Sequence, residues 1–393
     1  MKRVNYKRVL LVVGCFSCLV VSTIFLVSQL FSNDTDQEDI EEDIVEVEED
    51  NTVSFLAVGD NIGHDRVNAY GDINEGEYGD GSYSFLPSYS NVASYIEEAD
   101  LSFVNQETIV GGDDIGIYGY PAFNTPEQMA QDLVSLGFDI INGASNHTCD
   151  MGLAAINFTC ELWRQFEEVI YVGVYDSQED ADTIKTIERN GITFSVLSYT
   201  YGTNGYTIPN DYNVYLFDED KITADVAKAK EVSDVVIVSC HWGTESVYDI
   251  TDTQEQYAQL LADLEVDLVL GHHAHIIQSV EWVEGVNGNE TLVAYGLGNF
   301  LSTMETLDTQ LEGMLSLDFV KTDDDVVIEN VEWISLVNHF EDGFETAAPT
   351  VYLLSEYSEE LRQEHYVLSD YPDALEYFEE KTAEIMSNIS IRE

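Results

Sequence analysis

The chain has 393 residues, with 15 Lys+Arg against 75 Asp+Glu, a formal net charge of −60, and five cysteines. That is long enough for one large or two small domains, and its apolar content is ample for a core. Such a charge repels nucleic acid and anionic lipid surfaces and so argues against both as partners, and by itself it fits solubility in a salty or cell-wall setting.

Four of the basic residues (Lys2, Arg3, Lys7, Arg8) precede the first acid, Asp34, leaving everything after it poorer still in positive charge. An anionic substrate would therefore need metal ions to neutralise it. Residues 1–8 read as a basic cytoplasmic tail. Val9 to Phe31 is free of charge and long enough to span a bilayer with some tilt. Basic residues before the span and an acidic run after it orient the N-terminus to the cytoplasm and the rest outside the cell. A cleaved signal peptide competes with this anchor, but no alanine precedes Ala57 to form an Ala-x-Ala site. Val12-Val13-Gly14-Cys15 has the look of a lipoprotein acceptor, yet the apolar run continues past it. Residues 32–50 are an acidic tether, too charged to fold alone.

A folded region is expected over 51–345. It opens on a strand at Val53–Val58 ending in Gly59-Asp60, followed by a strand at Leu101–Val104 ending at Asn105-Gln106-Glu107. Helical spacing at Pro126–Leu136 precedes a strand at Phe138–Ile141 that leads into Asn142-Gly143-Ala144-Ser145-Asn146-His147. A helix at Leu153–Phe166 and strands at Ile192–Ser198 and Val235–Ser239 follow, the last running into Cys240-His241-Trp242-Gly243. A helix at Gln254–Leu264 leads to the strand Val266–Leu270, broken by Gly271, after which His272, His273 and His275 arrive within four positions. Strand patterns at Gln278–Val283, Leu292–Tyr295, Met314–Val320 and Val326–Ile334 complete an α/β core whose second half is mainly β, as in a layered sandwich. Residues 346–393 are acidic, helical at Tyr371–Met386, and read as a peripheral element or tail.

The chemical signal is where the polar residues fall. Asp60, Glu107, Asn146-His147, His241 and His273-x-His275 all sit at strand ends, where open α/β sheets collect ligands. Carboxylate, amide oxygen and imidazole are a donor set that borderline divalent ions accept, so one or two ions of the Mn, Zn or Fe kind are expected. Two such ions can acidify a shared water and clamp a phosphoryl group. Singly, each motif has an ordinary explanation: Asp60 can cap a turn, Asn146-His147 can be turn chemistry, and His241 beside Trp242 can be a buried core histidine. His64, His339 and His365 are read as structural. Cys149, Cys160 and Cys240 are too few for a disulfide framework, and their pairing is left open.

Seven motifs in order carry a resemblance. Gly59-Asp60-Asn61-Ile62-Gly63-His64-Asp65, Asn105-Gln106-Glu107, Tyr120-Pro121-Ala122-Phe123-Asn124-Thr125-Pro126, Ser145-Asn146-His147 with Asp150 and Gly152, His241-Trp242-Gly243, Gly271-His272-His273-Ala274-His275 and Leu297-Gly298-Asn299-Phe300 resemble the capsule-synthesis proteins of the CapA/PgsA type. That family is similar in turn to the calcineurin-like metallophosphoesterases. The resemblance implies a four-layer α/β/β/α sandwich, membrane anchorage, and a part in making or exporting poly-γ-glutamate or a related surface polymer beside membrane synthase subunits. It implies Asp60 and His275 on a first metal, Glu107 bridging, and Asn146, His241 and His273 on a second, with the choice between His272 and His273 open. His147 would protonate a leaving group, with Asp150 in the same catalytic set. Phosphoesterases commonly have Asp-x-His in the first motif, and Ile62 stands at the histidine position, so the first site is a ligand short unless His64 or water fills it. Three readings follow: a metal-dependent hydrolase-type site acting on an anionic polymer or phosphoester, a non-catalytic accessory subunit of a polymer synthase, and a free-standing surface phosphoesterase.

Overall fold

The computed structural model describes residues 51–323 and 325–392. The basic tail, the apolar span at 9–31 and the acidic tether lie outside the described residues. No helix among the described residues is long and apolar enough to cross a membrane.

The chain lays down part of one sheet, builds a second, and returns to finish the first. Strands β1 (Thr52–Asn61), β2 (Leu101–Gln106), β3 (Ile140–Asn142) and β4 (Ile170–Val172) pair in parallel. Strands β5 (Thr186–Arg189), β6 (Ile192–Thr200), β7 (Val235–His241), β8 (Leu268–His272), β9 (Val280–Glu284) and β10 (Glu290–Ala294) form the second sheet, in the order β5-β6-β7-β8-β10-β9. Then β11 (Asn299–Leu301) joins β1, while β12 (Leu311–Lys321), β13 (Val326–His339) and β14 (Thr350–Leu353) extend the first sheet on the other side of β1. A last strand, β15 (Ser390–Arg392), pairs with β13.

Alternation along β1 shows how four layers arise. Val53, Phe55 and Ala57 point one way, into a core shared with Phe103, Phe194, Ile237, Leu268 and Leu270, so this core lies between the two sheets. The Phe319 ring meets Phe55 at 5.6 Å and Phe194 at 5.0 Å, tying the sheets together. Leu56 and Val58 point the other way, with Val104 and Ile141, onto Met129 and Leu133 of the helix Gln128–Ser135 and onto Trp163 of the helix Gly152–Trp163. On the far side, Val236, Val238 and Val269 pack against Ile222 and Val226 of the helix Glu219–Ala229, and against Ala258 and Leu261 of the helix Asp252–Asp263. The order is helix, sheet, sheet, helix: a mixed α/β sandwich.

The end of β1 approaches the return strand closely. A Cβ on Gly59 would lie 1.9 Å from the Gly298 carbonyl oxygen, so only glycine fits. Beyond it the Asp60 N–H donates to that same carbonyl at 2.9 Å. The register of β1 shifts here, against both β2 and β11, and this re-aims the Asp60 side chain.

The C-terminal segment differs from expectation. It is no tail: β14 and β15 both join the first sheet, and Leu368, Ala374, Phe378 and Met386 are fully buried in the central core. The described residues fall in one compact unit. The helix Ala374–Ile385 exposes its four glutamates and turns Ala374 and Phe378 inward. Cys149, Cys160 and Cys240 are free and buried, and burial pushes all three thiols up, Cys149 to about 11 and Cys160 to about 12. None is a reactive thiolate.

Candidate metal centre

Parallel strands deliver their last residues to one edge of the sandwich. Asp60 lies at the end of β1, Glu107 just after β2, Asn146 and His147 in the loop after β3, His241 at the end of β7, and His273 and His275 just after β8. All seven are buried. Ligand atoms of Asp60, Glu107 and His241 lie within 4.8 Å of one another.

Asp60 is the most tightly held. Its Oδ1 accepts from Asn105 Nδ2 at 2.6 Å, and Asn105 is oriented in turn by Asn142, which accepts from Ser198. Its Oδ2 accepts the His273 backbone N–H at 3.1 Å. The His272 and His275 rings stand 3.3 and 3.2 Å from its two oxygens. Burial opposes ionisation of Asp60, but these two rings outweigh it and hold the carboxyl well below the usual range. Glu107 shows the opposite balance: burial and the neighbouring Asp60 charge raise it well above, and His275 relieves this only in part.

The histidines fall into distinct roles. His272 ends β8, stacks on Phe103 at 5.5 Å and has no side-chain exposure, so it lies beneath Asp60. His273 faces the His241 ring at 4.9 Å and the Tyr201 ring at 4.5 Å. Burial keeps His241 well below its ordinary value and brings His273 to about 3, so both rings are neutral and free to ligate. Burial also opposes charge on His275, but Glu107 and Asp60 prevail and raise it to about 10. His273 and His275 adopt φ of 88° and 56°, a left-handed conformation that non-glycine residues take only when the surroundings impose it.

The donor atoms fit a cation. Glu107 Oε2, His241 Nδ1 and His273 Nδ1 are buried with no hydrogen-bond partner. Leaving such atoms unsatisfied costs about 1–3 kcal/mol each, and bound cations would satisfy them.

His147 is held differently. Its Nδ1 lies 2.7 Å from Asp150 Oδ2, which also accepts the Phe123 N–H at 2.8 Å. With that carboxylate ionised, Nδ1 carries the proton and Nε2 is the ring atom directed inward, 3.9 Å from Glu107 Oε1. Ser145 Oγ fixes the loop by donating to the Glu107 carbonyl and accepting the His147 N–H.

Ile62 is 2 % exposed and supplies no donor, and His64 does not join the cluster: its Nδ1 accepts the Thr303 N–H at 3.2 Å. A carboxylate the sequence reading passed over does reach the centre: Glu245, on the exposed loop after β7, has ligand atoms within 4.8 Å of those of His273 and His275. The signal available in sequence was its position four residues past His241.

Sandwich and strand-end donors together define an α/β protein with a candidate divalent-metal centre. The chain belongs to the family of the bacterial capsule synthesis protein PGA_cap, whose model matches residues 54–304, in agreement with the resemblance carried by the seven motifs. It is similar to the PGA biosynthesis protein CapA of Bacillus subtilis (strain 168), 29% identical over 45% of this chain and 46% of that one. It is also similar to the capsule biosynthesis protein CapA of Bacillus anthracis, 25% identical over 54% of this chain and 53% of that one. The matched part thus spans about half the length of each relative. Among solved structures it is similar to a 5'-nucleotidase precursor from Thermus thermophilus, with TM-score 0.46 and 11% identity over 85% of this chain and 59% of that one.

Proposed function

We propose that this chain acts at the outer face of the cell membrane, tethered by residues 9–31, in the synthesis of an anionic surface polymer such as poly-γ-glutamate, and that it carries a metal-dependent hydrolase-type site. Membership of the capsule-synthesis family supports the process. The site reading is carried by one observation: six donor residues from five strand ends meet with Glu107 Oε2, His241 Nδ1 and His273 Nδ1 buried and unpartnered.

In this reading Asp60, Glu107, His241, His273 and His275 would hold one or two ions between them, and Asn146 would fix the His241 ring through its Nε2–H. Divalent ions of the Mn, Zn or Fe kind, when bound, acidify water and polarise a phosphoryl or carbonyl group. His147, aimed by Asp150, would serve as general acid to the leaving group in its doubly protonated form, since Nδ1 is held by Asp150 and Nε2 faces inward. The buried walls exclude bulk water and strengthen every charge interaction inside. Membrane synthase subunits are the proposed partners.

The test is metal content. Purified full-length protein should retain Mn or Zn through dialysis, and the H273A/H275A double variant should retain less. Equal metal in both proteins would sink the site. A second reading, a non-catalytic accessory subunit of the synthase, is favoured by the hydrocarbon of Ile62 at the first motif. Under it, Asp60→Asn leaves polymer yield in cells intact while deletion of residues 9–31 abolishes it.

A further inference from the structure

The geometry points to Glu245 as a protein ligand of the centre, forming with His273 and His275 an outer cation position that borders the buried Asp60, Glu107 and His241 set. This rests on the metal-centre reading above; it adds a residue to it and divides the donors, with His273 and His275 on the outer ion and Asp60, Glu107 and His241 on the inner one.

The placement is built rather than incidental. After His241 the chain turns at Gly243, with φ of 87°, and Ser246 adopts φ of 58°. The Ser246 N–H then donates to the Ala274 carbonyl at 2.8 Å, which fastens the Glu245 loop onto the segment between the two histidines. Both histidines are themselves held at positive φ, so two strained loops meet face to face. The ligand atoms of Glu245, His273 and His275 fall within 4.8 Å of one another. His273 Nδ1, on a side chain that is almost wholly buried, has no hydrogen-bond partner.

Chemistry favours the same assignment. Two imidazoles and one carboxylate form a donor set found around zinc and non-haem iron with coordination positions left open. Ile62 leaves the first motif a donor short, and His64 engages Thr303 through Nδ1. Glu245 brings a donor to the same neighbourhood from a different strand. The two positions differ in access: all three members of the inner set are buried, whereas Glu245 is exposed. An ion held by the inner set would exchange slowly, and one held with Glu245 would border solvent and be open to a substrate oxygen.

Mn(II) binding to the purified full-length chain tests this, with bound and free ion resolved by electron paramagnetic resonance and stoichiometry fixed by equilibrium dialysis. Wild-type protein is expected to bind two Mn(II) per chain. In E245Q the weaker site should lose at least about tenfold in affinity, with the tighter site unchanged. E245D should keep both ions, and H241A should lose the tighter one. Circular dichroism checks that each variant is folded. Two ions at unchanged affinity in E245Q would overturn the assignment while leaving the metal-centre reading intact. Loss of both ions together in E245Q would overturn the separation into two positions. A folded wild type that binds no Mn(II) and no Zn(II) would overturn both this inference and the reading beneath it.

Discussion

His241 Nε2 lies 2.8 Å from Asn146 Oδ1, a contact between the two sheets' edges spanning 95 residues of sequence. An amide oxygen only accepts, so Nε2 carries the proton and Nδ1 is left bare and unpartnered. Asn146→Ala removes that oxygen and the bond that orients the ring. Its expected cost is about 1 kcal/mol in the ion-free protein and about 10–100-fold in affinity for the ion that His241 holds. Asn146→Asp, which keeps an oxygen at the same place, should bind at least as tightly as wild type. Calorimetric titration with Zn(II) decides it, and equal affinity in the alanine variant would remove Asn146 from the centre.

Asp150 accepts from both His147 and the Phe123 backbone, and the Phe123 ring lies edge-on to the imidazole at 4.7 Å. The carboxylate therefore sets the tautomer and direction of His147 without touching the metal donors. Asp150→Asn should leave metal content and fold intact and slow hydrolysis of an aryl phosphate by about 10²–10⁴-fold. Loss of metal in this variant would instead assign Asp150 to holding the loop.

Much of this centre is legible in the sequence because each donor terminates an apolar run: Val266 to Leu270 can only be a buried strand, and the polar residues after it must lie at a sheet edge. Convergence across two sheets is not legible, since no local pattern tells β3 that its loop will meet β7. Glu245 was hidden by composition, one glutamate among 75 acidic residues. The choice between His272 and His273 needed the strand's actual end: β8 runs through His272, which turns its ring under Asp60, and the positive φ at His273 swings the next ring outward. The helix Asp65–Glu75 escaped notice because its sequence is too polar to show an apolar stripe.

The C-terminal segment misled for the same compositional reason, and its packing is testable. Phe378 is fully buried among residues of both sheets' shared core, on a helix with four acidic residues. Phe378→Ala leaves a cavity there and should destabilise the domain by about 3–5 kcal/mol, read as a lowered midpoint in urea. A peripheral helix would lose less than about 0.5 kcal/mol.

His365 predicts an acid-side loss of stability remote from the metal centre. Its Nε2–H donates to the Asn338 carbonyl at 2.8 Å, and its Nδ1 accepts the N–H groups of Val367 and Leu368 at 2.9 and 3.3 Å. Both nitrogens are thus used as a neutral ring uses them, and a second proton would set Nδ1 against two donors. Burial lowers this histidine to about 3, the bond to Asn338 opposes that, and the neighbouring His339 ring adds to it. An ordinary histidine in the unfolded chain titrates near 6.5. As pH falls the unfolded state therefore takes up its proton first. The contribution of His365 is fully present above about 6.5 and drains away between there and about 3. At 1.36 kcal/mol per unit, about 2–3 kcal/mol is gone by roughly pH 4.5. Carboxylates titrate over the same window, so the informative quantity is the difference from His365→Asn, which keeps an acceptor but cannot charge. Urea midpoints at pH 7 and pH 4.5 should show the wild-type advantage over this variant shrinking by that amount. An advantage that stays constant across the two pH values would mean that His365 takes a proton in the folded state without penalty.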